Sequence, residues 1–358
     1  MQLLYYNSNI KEEIIMIRNK VLLFSVSIFL LIFFSQCVMV MSSGGGETGQ
    51  VRGYKDRTSV DPRYKDIDTH ALNAPSSVEG DINTLAQYLI KPARNHLEKA
   101  RAVYRWITEN ISYNIDGLLK GDYGDPSAQG VLKSRSSICE GYANLFSNLA
   151  QKAGLEVVKI SGYAKGYGYV VGGSIGGDTN HAWNAVKIDG QWLLIDSTWG
   201  AGYADQQNRF VRRFSEHYFL TPPEQFIYDH FPSESKWQLL NKPISRQEYE
   251  QRVHILPIFF YCGLSIESHP QGVIRTDRDA VITLRALYDT ALVGQLQKDG
   301  SQVQGSDIKI SDKGNGYLEI YTELPGPGEY FLILFTKEGL GLAGEYEWAL
   351  TYKIVVGN

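Results

Sequence analysis

The sequence predicts an α+β domain followed by an immunoglobulin-like β-sandwich. Residues 66–253 show helical apolar spacing and one strong hairpin signal, whereas residues 254–358 carry short β runs between glycine- and proline-containing turns. Roughly seven strands in about 100 residues is typical of an immunoglobulin-like sandwich. We therefore expect two folded domains that meet near residue 254.

Composition limits the classes of protein that fit. The chain has 358 residues, 43% apolar and 21% charged, which is typical of a folded protein of more than one domain. A net charge of −4, without a basic cluster beyond the N-terminus, argues against nucleic acid as a partner. Three cysteines, Cys37, Cys139 and Cys262, are too few for a disulfide framework, although a Cys139–Cys262 bridge stays open. No Cys/His grouping has zinc-ligand spacing, so we expect neither a metal nor a cofactor.

Residues 1–41 are predicted to be a signal peptide or an N-terminal membrane anchor. Arg18 and Lys20 precede an apolar run that continues to Met41, about long enough to span a bilayer as a helix. Lipid attachment at Cys37 is a third interpretation, which the large Gln36 disfavours. Residues 42–65 follow as a flexible linker. Each interpretation places the folded part outside the cytoplasm, secreted, periplasmic or anchored, with contact to a membrane or cell wall through the N-terminal segment.

Three helices are predicted before the hairpin. The first has apolar spacing from Ser77 to Ile90, and the second begins at Asn95, an N-cap with Glu98 three residues on. The third begins in the segment 137–140, where Ser137 as N-cap and Glu140 fit a capping box. Apolar residues then recur at helical spacing, and Gly154 supplies the stop.

A hairpin fixes the relation between a histidine and an aspartate. Asp189-Gly190 separates two β runs, 182–188 and 191–196, and Asp-Gly in that position is a strong signal for a two-residue turn. With this turn Ile188 pairs with Gln191, and His181 and Asp196 become diagonal neighbours on one face. Diagonal partners lie about 7–8 Å apart at the backbone, so an Asp–His hydrogen bond is expected. A three-residue turn would place Asp196 on the opposite face.

Cys139, His181 and Asp196 together predict nucleophilic catalysis. Unpaired N–H groups at a helix start stabilise negative charge, and therefore a Cys139 thiolate. His181 would hold the proton, and Asp196 would fix its tautomer. The backbone N–H of Cys139 is a natural oxyanion donor, with Gln129 as a candidate for a second. Each residue alone is more often a packing residue, but the conjunction of three roles in three suitable local structures favours a site.

After a short helix predicted at 246–252, the remaining segments have strand character. The predicted strands are 281–284, 308–310, 317–321, 330–335 and 348–356. Turns containing glycine and proline separate several of them, as expected for a β-sandwich.

Four segments of the chain resemble the transglutaminase-like superfamily, namely 99–113, Ile138 to Ala143, Asn180 to Asn184 and Trp192 to Trp199. More narrowly, their arrangement with a following β domain is similar to the kyphoscoliosis-peptidase group. The resemblance implies a papain-like α+β core with a catalytic triad at Cys139, His181 and Asp196. It also implies chemistry on amide carbonyls through a thioester.

The function expected from these observations is a peptidase-type cysteine hydrolase that acts on proteins or peptides. The triad does not decide the acceptor: water gives hydrolysis, whereas an amine gives a protein-glutamine transglutaminase. A third interpretation is a non-catalytic binding or scaffold protein, which the intact triad disfavours.

Overall fold

The computed structural model describes residues 61–166, 168–205, 207–287, 289–337 and 345–357. These residues form two compact units, one comprising 61–165 and 175–249, the other 166–174 and 250–357. The predicted signal or anchor over 1–41, with Cys37, and nearly all of the predicted linker lie outside the described residues. Among the helices that are described, none is long and apolar enough to cross a membrane.

The first unit combines helices with one five-stranded sheet. Its helices are α1 (Lys65–Leu72), α2 (Ile82–Leu89), α3 (His96–Asn110), α4 (Ile115–Lys120), α5 (Ala128–Ser134), α6 (Cys139–Lys152), α7 (Ser197–Ala201) and α8 (Pro223–Phe226), and α9 (Arg246–Gln251) spans the division between the units. Its strands are β1 (Ser112–Tyr113), β2 (Ser136–Ser137), β3 (Glu156–Ala164), β4 (His181–Ile188), β5 (Gln191–Ile195), β6 (Gly202–Ala204), β7 (Phe210–Arg212), β8 (Phe219–Thr221) and β9 (His230–Pro232).

Helix starts follow the caps that the sequence offers. The Asn95 side chain accepts the N–H of Glu98 at 2.9 Å, which confirms the predicted start of α3. The predicted start of the preceding helix at Ser77 is wrong. Residues 76–78 form only a 3₁₀ turn, and α2 begins after Asp81, whose carboxylate accepts the N–H of Thr84.

The predicted capping box before α6 is also wrong. Ser137 belongs to β2 and pairs with Tyr113, so its backbone is extended and the N-cap is Ile138. With Ile138 as N-cap, Glu140 is the second helical residue, one position before the place that the acid of a capping box occupies, and it pairs with Lys159 instead. The strand pairing of Ser137 therefore moves the helix start one residue towards Cys139.

The central sheet has the strand order β8-β5-β4-β3-β9, with neighbours antiparallel. The predicted hairpin register is confirmed, because Ile188 pairs with Gln191 and Asn184 with Ile195. Asp189 and Gly190 both have positive φ, 49° and 83°, as a type I′ turn requires. Register and turn therefore fix which β4 residues share a face.

Apolar residues cover both faces of this sheet. On one face β4 contributes Val186 and Ile188 to a core that includes Trp106 and Phe146 from α3 and α6. On the other face Trp183 packs in a smaller cluster whose members are Ile160, Ala185, Leu194, Tyr218 and Phe226. The alternation along β4 sends His181 to the same face as Trp183.

The second unit consists mainly of two sheets. Besides α10 (Pro257–Tyr261), it contains the strands β10 (His254–Ile255), β11 (Leu264–Ile266), β12 (Val273–Thr276), β13 (Asp279–Ala286), β14 (Ala291–Lys298), β15 (Ser301–Gln302), β16 (Ile308–Asp312), β17 (Tyr317–Glu323), β18 (Gly328–Lys337) and β19 (Glu347–Val356). One sheet runs β10-β19-β18-β14-β15, with β12 parallel to β19, and the other runs β11-β13-β17-β16. Buried and exposed residues alternate along β13, β17 and β18, as in a sandwich.

All five predicted strand segments lie in β13, β16, β17, β18 and β19. Strand β14 was not among them, because Gly294, Gln295 and Gln297 make its sequence polar. Gly294 is needed there, since a Cβ at this position would lie 2.7 Å from Ile308. An α+β unit followed by a two-sheet β unit is the predicted fold class.

Candidate active site

Cys139 is the first residue of α6, so its backbone N–H has no partner within the helix. The side chain is buried, with 9% of the residue exposed. Close packing holds this helix start, because a Cβ at Gly141 would lie 2.6 Å from Val131 and closer still to Ser137. The thiol is therefore fixed at a helix N-terminus, where negative charge is stabilised.

The predicted hydrogen bond between His181 and Asp196 is present. Nε2 of His181, at the first position of β4, lies 2.8 Å from Oδ2 of Asp196. Strand β5 ends at Ile195, and Asp196 is the N-cap of α7. Its Oδ1 accepts the backbone N–H groups of Thr198 at 2.8 Å and Trp199 at 3.2 Å. Thr198 is thus a helical residue rather than the strand residue that an extended hairpin would give.

The environment of Asp196 keeps it ionised. Burial disfavours the charged form, but His181 and the hydrogen bonds overcome it and lower the pKa of Asp196 far below its ordinary value. An ionised carboxylate only accepts hydrogen bonds, so Nε2 of His181 must carry a proton. The Nδ1 atom of His181 is then the nitrogen left to face a reaction partner.

That partner is Cys139, which lies close enough to His181 to contribute to the raised pKa of the imidazole. Burial lowers the pKa of His181, but the charge of Asp196 and the hydrogen bonds with Asp196 and Cys139 raise it well above the ordinary 6.5. The structure therefore brings together all three residues predicted from the sequence. Tyr113 is nearby: burial raises the pKa of its phenol, and the negative charges of Cys139 and Asp196 raise it further.

Gln129, the candidate second oxyanion donor, is used elsewhere. Its amide donates to the carbonyl of Gly80 at 3.1 Å and is exposed. The helix-start N–H of Cys139 thus remains the oxyanion donor that the sequence predicts.

Two asparagines in the segment 180–184 hold His181 in place. Asn184 is buried and donates to the Ala143 carbonyl at 3.1 Å and the Ser147 hydroxyl at 2.9 Å, which ties β4 to α6. Asn180 bonds both backbone groups of Ala164 and so anchors the entry to β4. The motif contained both residues, but their roles depend on tertiary partners that residue spacing does not reveal.

A second histidine reaches the same carboxylate. Nε2 of His230, on β9, lies 3.1 Å from Oδ2 of Asp196, and its Nδ1 lies 2.6 Å from Oδ1 of Asp229. His230 is fully buried against aromatic rings, with Phe226 stacked at 4.0 Å between centroids and Trp199 at 4.5 Å. Sequence reasoning missed Asp229 and His230 because they lie more than 30 residues beyond Asp196, in a segment without a recognisable motif.

His181, Asp196 and His230 are residue types that also ligate metals, and their polar atoms lie within 4.8 Å of one another. Both Nε2 atoms, however, point at one carboxylate oxygen at hydrogen-bonding distance, so protons lie between the atoms that an ion would have to join. We therefore assign the group as a hydrogen-bonded cluster.

Comparison with known proteins defines the class of this site. Residues 83–197 match the transglutaminase-like superfamily, and residues 246–358 match the KY-like, immunoglobulin-like domain family. The chain thus carries a transglutaminase-like domain followed by a KY-like immunoglobulin-like domain, which confirms the resemblance predicted from the motifs.

Individual proteins with similar sequences carry the name kyphoscoliosis peptidase or contain a transglutaminase domain. The chain is 36% identical to the kyphoscoliosis peptidase of Mus musculus over 79% of its own length and 43% of the relative's. It is 33% identical to the kyphoscoliosis peptidase of Homo sapiens, over 82% and 43% of the two chains. The Lim and transglutaminase domain protein ltd-1 of Caenorhabditis elegans is 31% identical, over 62% and 32%. The chain therefore spans less than half the length of these relatives.

Proposed function

We propose that the protein is a cysteine-dependent acyl-transfer enzyme that acts on amide bonds of proteins or peptides, with water as the favoured acceptor. The observation that carries this proposal is the group Cys139, His181 and Asp196, in which His181 is hydrogen-bonded to Asp196 and Cys139 lies close enough to help raise the pKa of His181. Every role needed for thiol catalysis thus has a residue. No cofactor is required for this chemistry.

The first half-reaction would form a thioester. The Cys139 thiolate attacks the amide carbonyl, and the oxyanion is stabilised by the backbone N–H of Cys139. As the C–N bond breaks, the His181 imidazolium gives its Nδ1 proton to the leaving amine. Asp196 keeps Nε2 protonated throughout, so that Nδ1 is always the nitrogen that exchanges the proton.

The second half-reaction would release the acyl group. Neutral His181 takes a proton from the acceptor, the acceptor oxygen or nitrogen attacks the thioester, and the C–S bond breaks to restore the thiolate. Water yields a carboxylic acid, whereas an amine yields a new amide. The relatives named kyphoscoliosis peptidase support water, and the relative named for a transglutaminase domain supports the amine as the alternative.

One assay separates these outcomes. The full chain is incubated with a glutamine-containing protein substrate and a labelled primary amine, and new peptide termini, ammonia and incorporated label are measured together. New termini that disappear in Cys139→Ala support the peptidase, and incorporated label supports the transglutaminase. If neither product forms and no acyl-Cys139 adduct is found by mass spectrometry, the protein is a non-catalytic binding protein.

We also propose that the N-terminal segment places the folded part outside the cytoplasm. The support is the pair Arg18 and Lys20 followed by the long apolar run. In intact cells, added protease should digest the folded part of the full chain but not that of a variant lacking residues 16–41. Protection of both forms would contradict this location.

A further inference from the structure

We propose that Asp229 and His230 are positioning residues for the triad: they hold the Asp196 carboxylate oriented and ionised, so that His181 stays correctly protonated. The proposal rests on the proposed function, because it concerns the same site. Its basis is the convergence of two imidazoles on one carboxylate oxygen, a feature that the three-residue triad does not need.

The carboxylate of Asp196 is fully buried and saturated with donors. Its Oδ1 accepts two backbone N–H groups, those of Thr198 and Trp199. Its Oδ2 accepts from His181 at 2.8 Å and from His230 at 3.1 Å. With four donors around it the carboxylate has little freedom to rotate, and Oδ2 stays where His181 needs it.

Proton counting defines the state of His230. Because an ionised Asp196 cannot donate, Nε2 of His230 must carry a proton. The Nδ1 atom then meets Asp229 either as a neutral ring with a protonated carboxyl or as an imidazolium with a carboxylate. The Asp229–His230 pair is neutral in both cases and always presents an N–H to Asp196.

The pair is itself held in place. Asp229 Oδ2 accepts the Tyr218 hydroxyl at 3.1 Å, and the Asp229 carbonyl accepts the Tyr249 hydroxyl at 2.9 Å. The His230 ring is stacked on Phe226. A row Asp229–His230–Asp196–His181–Cys139 therefore runs from the aromatic cluster to the thiol.

The titratable groups around this row determine how it responds to acid. His181 and His230 are hydrogen-bonded to Asp196. Tyr113 and Tyr142 lie close enough for the negative charge of Asp196 to raise the pKa of their hydroxyl groups. Asp229 and Tyr218 face His230. Of these, His230 is a donor that lowers the pKa of Asp196, so loss of its N–H should let Asp196 take up a proton at higher pH.

Two amide variants separate the two nitrogens of His230. His230→Gln places an N–H near the position of Nε2 and keeps the bond to Asp196. His230→Asn places its amide near the position of Nδ1, so it keeps a bond to Asp229 but loses the bond to Asp196. The variants differ by one methylene, so each serves as the control for the other, and Phe226→Leu controls for loss of packing around the ring.

The readout is the rate of Cys139 alkylation by iodoacetamide against pH, followed by peptide mass spectrometry on the full chain. In His230→Asn we expect the pH of half-maximal rate to rise by about one unit and the rate near pH 5 to fall about tenfold. His230→Gln and Phe226→Leu should keep the acid limb of the wild type. With a substrate in hand, His230→Asn should lower kcat and leave KM unchanged.

The possible failures are distinguishable. If His230→Asn and His230→Gln give the same acid limb while the wild-type thiol is still more reactive than glutathione, the positioning role is wrong and the proposed function stands. If the wild-type thiol is no more reactive than glutathione, both are overturned.

Discussion

The two units each bury one cysteine, and the contrast between Cys139 and Cys262 shows what distinguishes a catalytic thiol from a packing residue. Cys139 begins α6 and lies beside His181, whose pKa it helps to raise. Cys262 follows the last residue of α10, is 2% exposed, and its thiol donates to the carbonyl of Lys337. A helix start stabilises a thiolate and a helix end does not. Both residues are buried cysteines. Position along the helix and the neighbouring imidazole therefore distinguish Cys139, the nucleophile, from Cys262, a packing residue.

The largest effect on activity is expected when each thiol is removed in turn. Cys139→Ala should lower the rate of amide cleavage by at least about a thousandfold, because no other group in the row can form the thioester. Cys262→Ala should leave the rate unchanged and reduce only the free energy of unfolding. The rates and the urea unfolding curves of the two variants are compared. A Cys262→Ala variant that loses activity while it stays folded would remove the contrast.

Replacement of the Asp196 carboxylate tests the second feature that distinguishes Cys139 from Cys262, the neighbouring imidazole of His181. In Asp196→Asn the amide can donate to Nε2 of His181, which moves the proton to Nδ1 and prevents it from accepting from Cys139. We expect kcat to fall about a thousandfold or more without unfolding. Asp178→Asn, at an exposed position, is the control. Equal activity of the two variants would exclude Asp196 from the site.

The pH dependence follows from the raised pKa of His181. A group with a raised pKa keeps its proton as pH rises through its ordinary value and loses it only at the higher folded value. Activity on the alkaline side should therefore persist beyond pH 6.5, the ordinary value for His181. The stability that the raised pKa of His181 contributes is fully present below pH 6.5 and is lost as pH rises through the higher folded value.

Two measurements check the direction of this pH dependence. The alkaline limb of the pH–rate profile should move towards lower pH in Asp196→Asn if residual activity is measurable, and the melting temperature of the wild type should fall at alkaline pH more than that of the variant. An alkaline limb centred near pH 6.5 in the wild type would mean that Asp196 does not stabilise the His181 imidazolium.

The smallest expected effect comes from the asparagine that ties β4 to α6. Asn184→Ala removes two hydrogen bonds in a buried position and should cost about 1–3 kcal/mol of unfolding free energy. It should also lower kcat about tenfold, because a small misplacement of the catalytic groups is costly. Asn148→Ala, on the exposed side of α6, is the matched control. An Asn184→Ala variant with normal kcat would show that α6 and β4 need no such link.

How far the sequence predicts the molecule depends on whether a feature is local. The hairpin could be predicted because Asp189-Gly190 selects the turn, and the turn fixes the pairing that brings Asp196 to His181. The start of α6 was predicted too early, because the pairing of Ser137 with Tyr113 joins segments more than 20 residues apart. Polar β14 was missed for a related reason, since its pairing with β18 comes from tertiary structure.

The candidate site divides in the same way. Cys139, His181 and Asp196 lie in motifs whose local structure can be predicted. Asp229 and His230 reach the site only because β9 pairs with β3 in the sheet, and no spacing in the sequence encodes that contact.

The central claim, that Cys139 is an activated nucleophile, is tested most directly by its reactivity in the native protein. Folded wild-type chain is treated with limiting iodoacetamide at pH 6, with glutathione in the same tube, and adducts at Cys139, Cys262 and glutathione are quantified by mass spectrometry. We predict that Cys139 reacts at least about tenfold faster than glutathione despite its burial, that Cys262 reacts more slowly than either, and that denaturation removes the difference. A Cys139 that reacts no faster than glutathione would contradict the account.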